Sequence, residues 1–157
     1  MTKQNLPKWD LTEIYLNLND PQIDKDILKI KNSISRFVKK WKNKIKGLSG
    51  EEINNCLKEY EKMNENAGVL STHSSLSFAS NMLDPKVSQY NAKVSDKISE
   101  LFSKLVFVSL EIASINNKVF ENWSKDKKSR KWIPLINNLR KRKKFQLPSQ
   151  VEEMLIE

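Results

Sequence analysis

The sequence predicts an all-α fold: an antiparallel bundle of long helices with a short C-terminal helix. Three observations predict it. Only three glycines and five prolines occur in 157 residues, and the prolines fall near candidate element boundaries, so little material is left for hairpins. Helix-start chemistry recurs at Asp20-Pro21, at Ser49-Gly50-Glu51-Glu52 and at Asp84-Pro85. Behind each start, apolar residues repeat at steps of three and four, the spacing that lines one face of a helix.

At the first start, Asp20 can accept a hydrogen bond from an orphan amide, and Pro21 at the first helical position loses nothing by lacking one. Ile23, Ile27, Ile30, Ile34, Phe37, Trp41 and Ile45 then form one stripe on a helix of more than twenty residues, with Lys and Asn on much of the other face. Gly47 is the expected stop, because glycine tolerates the left-handed backbone that ends helices.

The second helix opens on a capping box in which Ser49 and Glu52 satisfy each other's amides. Its stripe is Ile53, Leu57, Tyr60, Met63 or Asn64, Ala67 and Leu70. The residues from Ser71 to Ser80 then turn small and polar. They read as a tightly packed continuation of the helix, with a loop as the competing reading.

From Asp84-Pro85 the third helix carries Val87, Tyr90, Val94, Ile98, Leu101, Leu105, Val108, Ile112 and Ile115. This is the pattern of a long helix in an antiparallel bundle, broadened by Phe102, Val106 and Ala113. Asn116-Asn117 marks a turn. Val119, Phe120 and Trp123 suggest a short helix, and Ser124 to Ser129 a polar break. Trp132, Ile133, Leu135, Ile136 and Leu139 form an amphipathic helix that runs into a basic cluster. Ser149 and Glu152 repeat the capping-box spacing, so a further helix is starting where the chain stops.

No apolar run approaches the roughly 18 residues that a membrane span needs. Polar residues and Pro7 stand where a signal peptide would carry its apolar core. A single cysteine, Cys56, cannot form an internal disulfide, in keeping with a reducing cytoplasm. These features point to a cytoplasmic protein with no membrane partner.

The net charge of +9 is concentrated. Between Lys125 and Lys144 ten cations face Asp126 alone, so this window carries the whole excess. Its core is Arg140, Lys141, Arg142, Lys143 and Lys144. Such a run can contact phosphates, with nucleic acid as the partner and a strong salt dependence. It can equally be a solvated helix end, where cations complement the helix dipole. The aromatics Trp132 and Phe145 could stack on bases or simply pack.

Catalytic chemistry finds little purchase. The H-E-x-x-H type of zinc site needs two histidines one helical turn apart, and this chain has one, His73. Cys56 and His73 lie on the same predicted helix, seventeen residues and about 25 Å apart, too far for a nucleophile–base pair. Neither G-x-S-x-G nor a glycine-rich phosphate loop is present. No catalytic residue, metal ligand or cofactor is expected in this chain.

The opening Leu6-Pro7-Lys8-Trp9-Asp10-Leu11-Thr12-Glu13-Ile14-Tyr15 is the most distinctive motif. Its Trp9–Tyr15 portion is similar to the Trp-Asp-Leu-Ser/Thr-Asp/Glu-Leu-Tyr opening of the oligoendopeptidase F family, zinc metallopeptidases that hydrolyse short peptides. Asp20-Pro21 resembles the start of that family's first long helix. Tyr60 and the stretch from Ser71 to Asp84-Pro85 resemble its Tyr, Ser-Tyr-Ala-x-Leu and Asp-x-x-x-Pro pattern. Leu139-Arg140, Leu147, Ser149 and Glu153 approximate a later Leu-Arg…Leu-Ser…Glu element, although Phe145 and Gln146 stand where the usual histidine region falls.

The resemblance implies a helical N-terminal lobe that packs on a catalytic lobe and shapes a channel for short peptides. It places zinc and its ligands in that other lobe, beyond Glu157. Trp9, Asp10, Leu11 and Tyr15 would be the family signature, with Trp9 and Tyr15 either anchoring the segment on a neighbouring surface or packing in the chain's own core. The expected organisation is an opening segment over 1–19, a helical lobe over 20–146, and a truncated helix over 147–157. The alternative is a free-standing helical interaction module whose basic patch contacts nucleic acid.

Overall fold

The computed structural model describes residues 10–143, and among them it is all-α. The six helices are α1 (Pro21–Trp41), α2 (Gly50–Ser80), α3 (Pro85–Ser103), α4 (Val106–Ala113), α5 (Asn117–Lys125) and α6 (Ile133–Arg142). Short 3-10 turns at Ile45–Gly47 and Arg130–Trp132 complete the regular structure. The expected Ser149–Glu152 cap and the 147–157 helix start lie outside the described residues.

The caps act as their chemistry dictates. Asp20 Oδ1 accepts from Gln22 N at 2.8 Å, and Asp84 Oδ1 from Lys86 N at 2.9 Å, each beside a proline in the first turn. Ser49 and Glu52 form the reciprocal box, with Ser49 N donating to Glu52 Oε2 at 2.8 Å. Helix α2 runs unbroken through the small polar residues to Ser80. There Ser74 Oγ donates to Asn91 Oδ1 of α3 at 2.7 Å, and Ser74 and Ser77 are buried. Small residues let α3 lie close at this level.

Pairings fix the directions. Lys40 and Trp41, at the end of α1, both bond Glu59 in the first third of α2. His73, late in α2, bonds Tyr90, early in α3. Helices α1 and α2 are therefore antiparallel, as are α2 and α3. Their shared core contains Ile30, Ile34, Phe37, Leu70, Val94 and Leu101, all buried.

Two elements depart from the sequence reading. Helix α1 ends at Trp41, before Ile45, and the left-handed residue of the link is Asn43 (φ 66°) rather than Gly47. Asparagine tolerates that conformation better than other non-glycine residues. Ile45 stays fully buried, but from the 3-10 turn. The expected single helix from Asp84 to Ile115 is two helices, α3 and α4, with a break at Lys104–Leu105. Leu105 N donates to Phe102 O at 2.9 Å and Val108 N to Leu105 O at 3.0 Å, so tighter i→i+3 bonds carry the chain round the break.

The break brings α4 under the α1–α2 link. Glu111 is buried there, and its Oε1 accepts from Asn43 N at 2.6 Å and its Oε2 from Ile45 N at 3.0 Å. Helix α4 also packs on α6, through a core that includes Phe107, Val108, Ile112 and Ile136. An apolar run of this kind favours a position enclosed on all sides over one with an exposed face.

Replacing Glu111 by Ala would leave the buried Ile45 amide without its acceptor and remove the part-buried bond to Asn43. A buried amide stranded in this way costs about 1–3 kcal/mol, so Glu111→Ala is expected to lose about 1–3 kcal/mol of stability in urea denaturation. Glu100→Ala, which removes only exposed ion pairs to Lys97 and Lys104, is expected to stay within about 0.5 kcal/mol of the parent.

Candidate functional site

Two regions hold the residues that the sequence singles out. The first is the opening segment where it meets the start of α1. Asp10 is exposed, and its Oδ1 accepts from Thr12 Oγ1 at 2.7 Å and Thr12 N at 3.0 Å. These bonds, the hydroxyl first, hold its carboxyl below the ordinary range. Leu11 is half-buried, and its carbonyl accepts from Ile14 N and Tyr15 N, closing a turn. Trp9 lies outside the described residues.

Tyr15 is buried in this chain's own core. Its hydroxyl donates to Asp26 Oδ2 on α1 at 3.1 Å, and its ring meets His73 of α2 edge to face at 5.0 Å. Burial first, and then the Asp26 carboxylate, push the Tyr15 phenol well above its usual range. His73 in turn shares a 2.9 Å hydrogen bond between Nδ1 and the Tyr90 hydroxyl of α3. Burial raises the Tyr90 phenol to about 12. One aromatic and polar cluster thus ties the opening segment to α1, α2 and α3.

The same features leave the candidate catalytic groups closed. His73 is 2% exposed and spent on Tyr90 and Tyr15. Cys56 is buried, and desolvation raises its thiol to about 12, far from a reactive thiolate. No group of three His, Cys, Asp or Glu side chains among the described residues could hold a metal ion.

The second region is an open groove between the end of α4, the start of α5 and α6. It is lined by Asn116, Asn117, Asn137, Arg140, Lys141 and Lys143, over the apolar Ala113 and Ile115. Arg140 is the organised member. Its guanidinium carbon sits 4.4 Å from the centre of the Phe120 ring, and its Nη2 donates to Asn117 Oδ1. Lys141, Arg142 and Lys143 are exposed, and Lys144 lies outside the described residues.

Sequence reading found the cations but missed their setting. Asn117 reads as a turn residue, and nothing in the sequence brings Phe120 to Arg140. Trp132 is half-buried, donates from Nε1 to Asn54 Oδ1 at 3.2 Å and carries the Lys131 ammonium 4.2 Å from its ring centre. It packs rather than offering a free stacking face. Phe145 lies outside the described residues.

No protein-family profile, no curated protein and no solved structure matches the chain. Among the described residues no helix is long and apolar enough to cross a membrane.

The buried His73 sets a pH dependence. Burial lowers its pKa below the ordinary 6.5 despite the opposing pull of the Asp20 carboxylate, so folding favours the neutral ring. The unfolded state binds the proton more tightly, and stability is therefore lost as pH falls below about 6.5. The capping carboxylates Asp20 and Glu52, whose pKa values their amide bonds lower, lose their contribution only in the more acid range below the ordinary carboxylate values. Urea midpoints are expected to drop between about pH 7 and about pH 5 in the parent, and to stay level in His73→Gln, whatever that variant's absolute stability.

Proposed function

We propose that this chain is the non-catalytic N-terminal lobe of an oligoendopeptidase F-like zinc metallopeptidase. In this reading it packs against a catalytic lobe, carried elsewhere, that hydrolyses short peptides. The observation that carries the reading is the Trp9–Tyr15 run leading directly into an all-α lobe and joined to it through the buried Tyr15. The capped start at Asp20-Pro21 supports it, because the resemblance places the family's first long helix there.

The residues present do not fit a zinc site of this chain's own. The single histidine is enclosed and bonded to Tyr90, and among the described residues no cluster of suitable donors accompanies it. No chemical step is assigned to this lobe. Its contribution is to hold a rigid helical wall beside the substrate channel, so that a short extended peptide enters and a folded protein does not.

The lobe offers an apolar surface for that packing. Leu16, Met82 and Leu83 are 72%, 62% and 95% exposed, and all three lie at the end of the bundle where α1 and α3 begin and α2 finishes. Large apolar side chains left in water at one end are what a second lobe would cover.

The test is reconstitution. Mixing the chain with the polypeptide that carries the H-E-x-x-H helix is expected to give a one-to-one complex by sedimentation, with increased hydrolysis of a fluorogenic short peptide. Met82→Asp with Leu83→Asp is expected to weaken that complex while leaving the lobe's own melting temperature nearly unchanged. If mixing gives neither complex nor increased hydrolysis, the chain is not such a lobe.

A further inference from the structure

The peptidase reading leaves the basic groove between α4, α5 and α6 without a task. We propose that this groove is a binding surface for the phosphate backbone of nucleic acid, contacted through Arg140, Lys141 and Lys143 without reading base sequence.

The charge distribution is the first support. Elsewhere among the described residues five lysines, Lys40, Lys62, Lys97, Lys104 and Lys128, each lie within ion-pair distance of a glutamate. No carboxylate among the described residues lies that close to Arg140, Lys141 or Lys143. Among the described residues the groove lining contains no acid, and consists of these three cations, three asparagines and two apolar residues.

The preorganisation of Arg140 is the second. Stacking on Phe120 and the bond to Asn117 fix the guanidinium plane before any ligand arrives, which lowers the entropy lost on binding. One nitrogen serves Asn117, and the remaining N–H donors of the fork stay available for an oxyanion. The asparagine amides of Asn116, Asn117 and Asn137 add neutral polar groups to the same rim.

The choice of backbone over base follows from the aromatics. Phe120 is covered by Arg140, and Trp132 is occupied by Asn54 and Lys131. Among the described residues neither aromatic offers a free face for an unstacked base, so contact through Arg140, Lys141 and Lys143 is electrostatic and tolerant of sequence.

The counterion-release relation then gives a number. Three phosphate contacts on duplex DNA give a slope of about −2.7 in log K against log salt concentration, a loss of about forty-fold in affinity between about 50 and about 200 mM salt. With Lys141→Gln and Lys143→Gln only Arg140 remains, and the loss over the same range is expected to be about three- to four-fold. Both lysines are exposed, so the variant is expected to keep the parent's melting temperature.

The experiment is fluorescence-anisotropy titration of the 157-residue chain with labelled duplexes of two unrelated sequences at several salt concentrations. Equal affinities, the steep slope in the parent and the shallow slope in the double variant support the proposal. Absence of binding at about 50 mM salt overturns it. So does an unchanged slope in the double variant. Tighter binding of polyglutamate than of duplex would assign the groove to acidic protein and overturn it as well. A fall in melting temperature with the slope unchanged would return these cations to stabilising the end of α6.

Discussion

The structure depends on the length of α2. At 31 residues it is about 46 Å long, whereas α1 and α3, with 21 and 19 residues, reach only about 31 and 28 Å. Both neighbours are level with its C-terminal two thirds, as the Trp41–Glu59 and His73–Tyr90 bonds fix. The N-terminal third therefore projects beyond the three-helix bundle with Ile53, Cys56 and Leu57 to bury. The described elements after Ser103 form the cover of that overhang, with α5 in direct contact with α2.

The cover is held by polar anchors at its seams. Trp123 is fully buried and donates from Nε1 to Leu48 O at 2.8 Å, just before α2 starts. Trp132 bonds Asn54 one turn into α2, and Lys128 pairs with Glu51. Gly50 is required where the α5–α6 turn crosses, because a β-carbon there would overlap the Asp126 side chain. Asp126 is itself committed, accepting from Lys128 N and Ser129 N to close that turn. Glu111 ties the opposite seam by capping the 43–45 link. Burying a carboxylate is costly, and two amide donors are the means by which this one is retained.

Local chemistry was legible, and long-range geometry was not. Asp20, Ser49, Asp84 and the apolar stripes announce helices because a cap needs only neighbours within a turn. The break at Lys104–Leu105 carries no glycine or proline, and the three-and-four spacing continues across it since both sides are buried. What breaks the helix is the link between α1 and α2, whose amides and Ile45 lie more than sixty residues away in sequence. Glu111 reads as a polar interruption of an apolar run until that link is placed beside it. Likewise Arg140 is visible as a cation, but its orientation is set by Asn117 and Phe120 from a separate helix.

The two regions that stand out lie at opposite ends of this arrangement, and the overhang explains why. The opening segment enters where α2 finishes, and Tyr15 closes that end by joining Asp26 and His73. Its burial, with Ile14 and Leu18 packed beside it, joins this segment to the helical core. The basic groove forms where the cover meets itself, between α4, α5 and α6, on the far side of the overhang. Lys141 and Lys143 on its rim are exposed. A partner on the Leu16–Leu83 end and an anion in the groove would therefore touch different elements, and occupation of one need not obstruct the other.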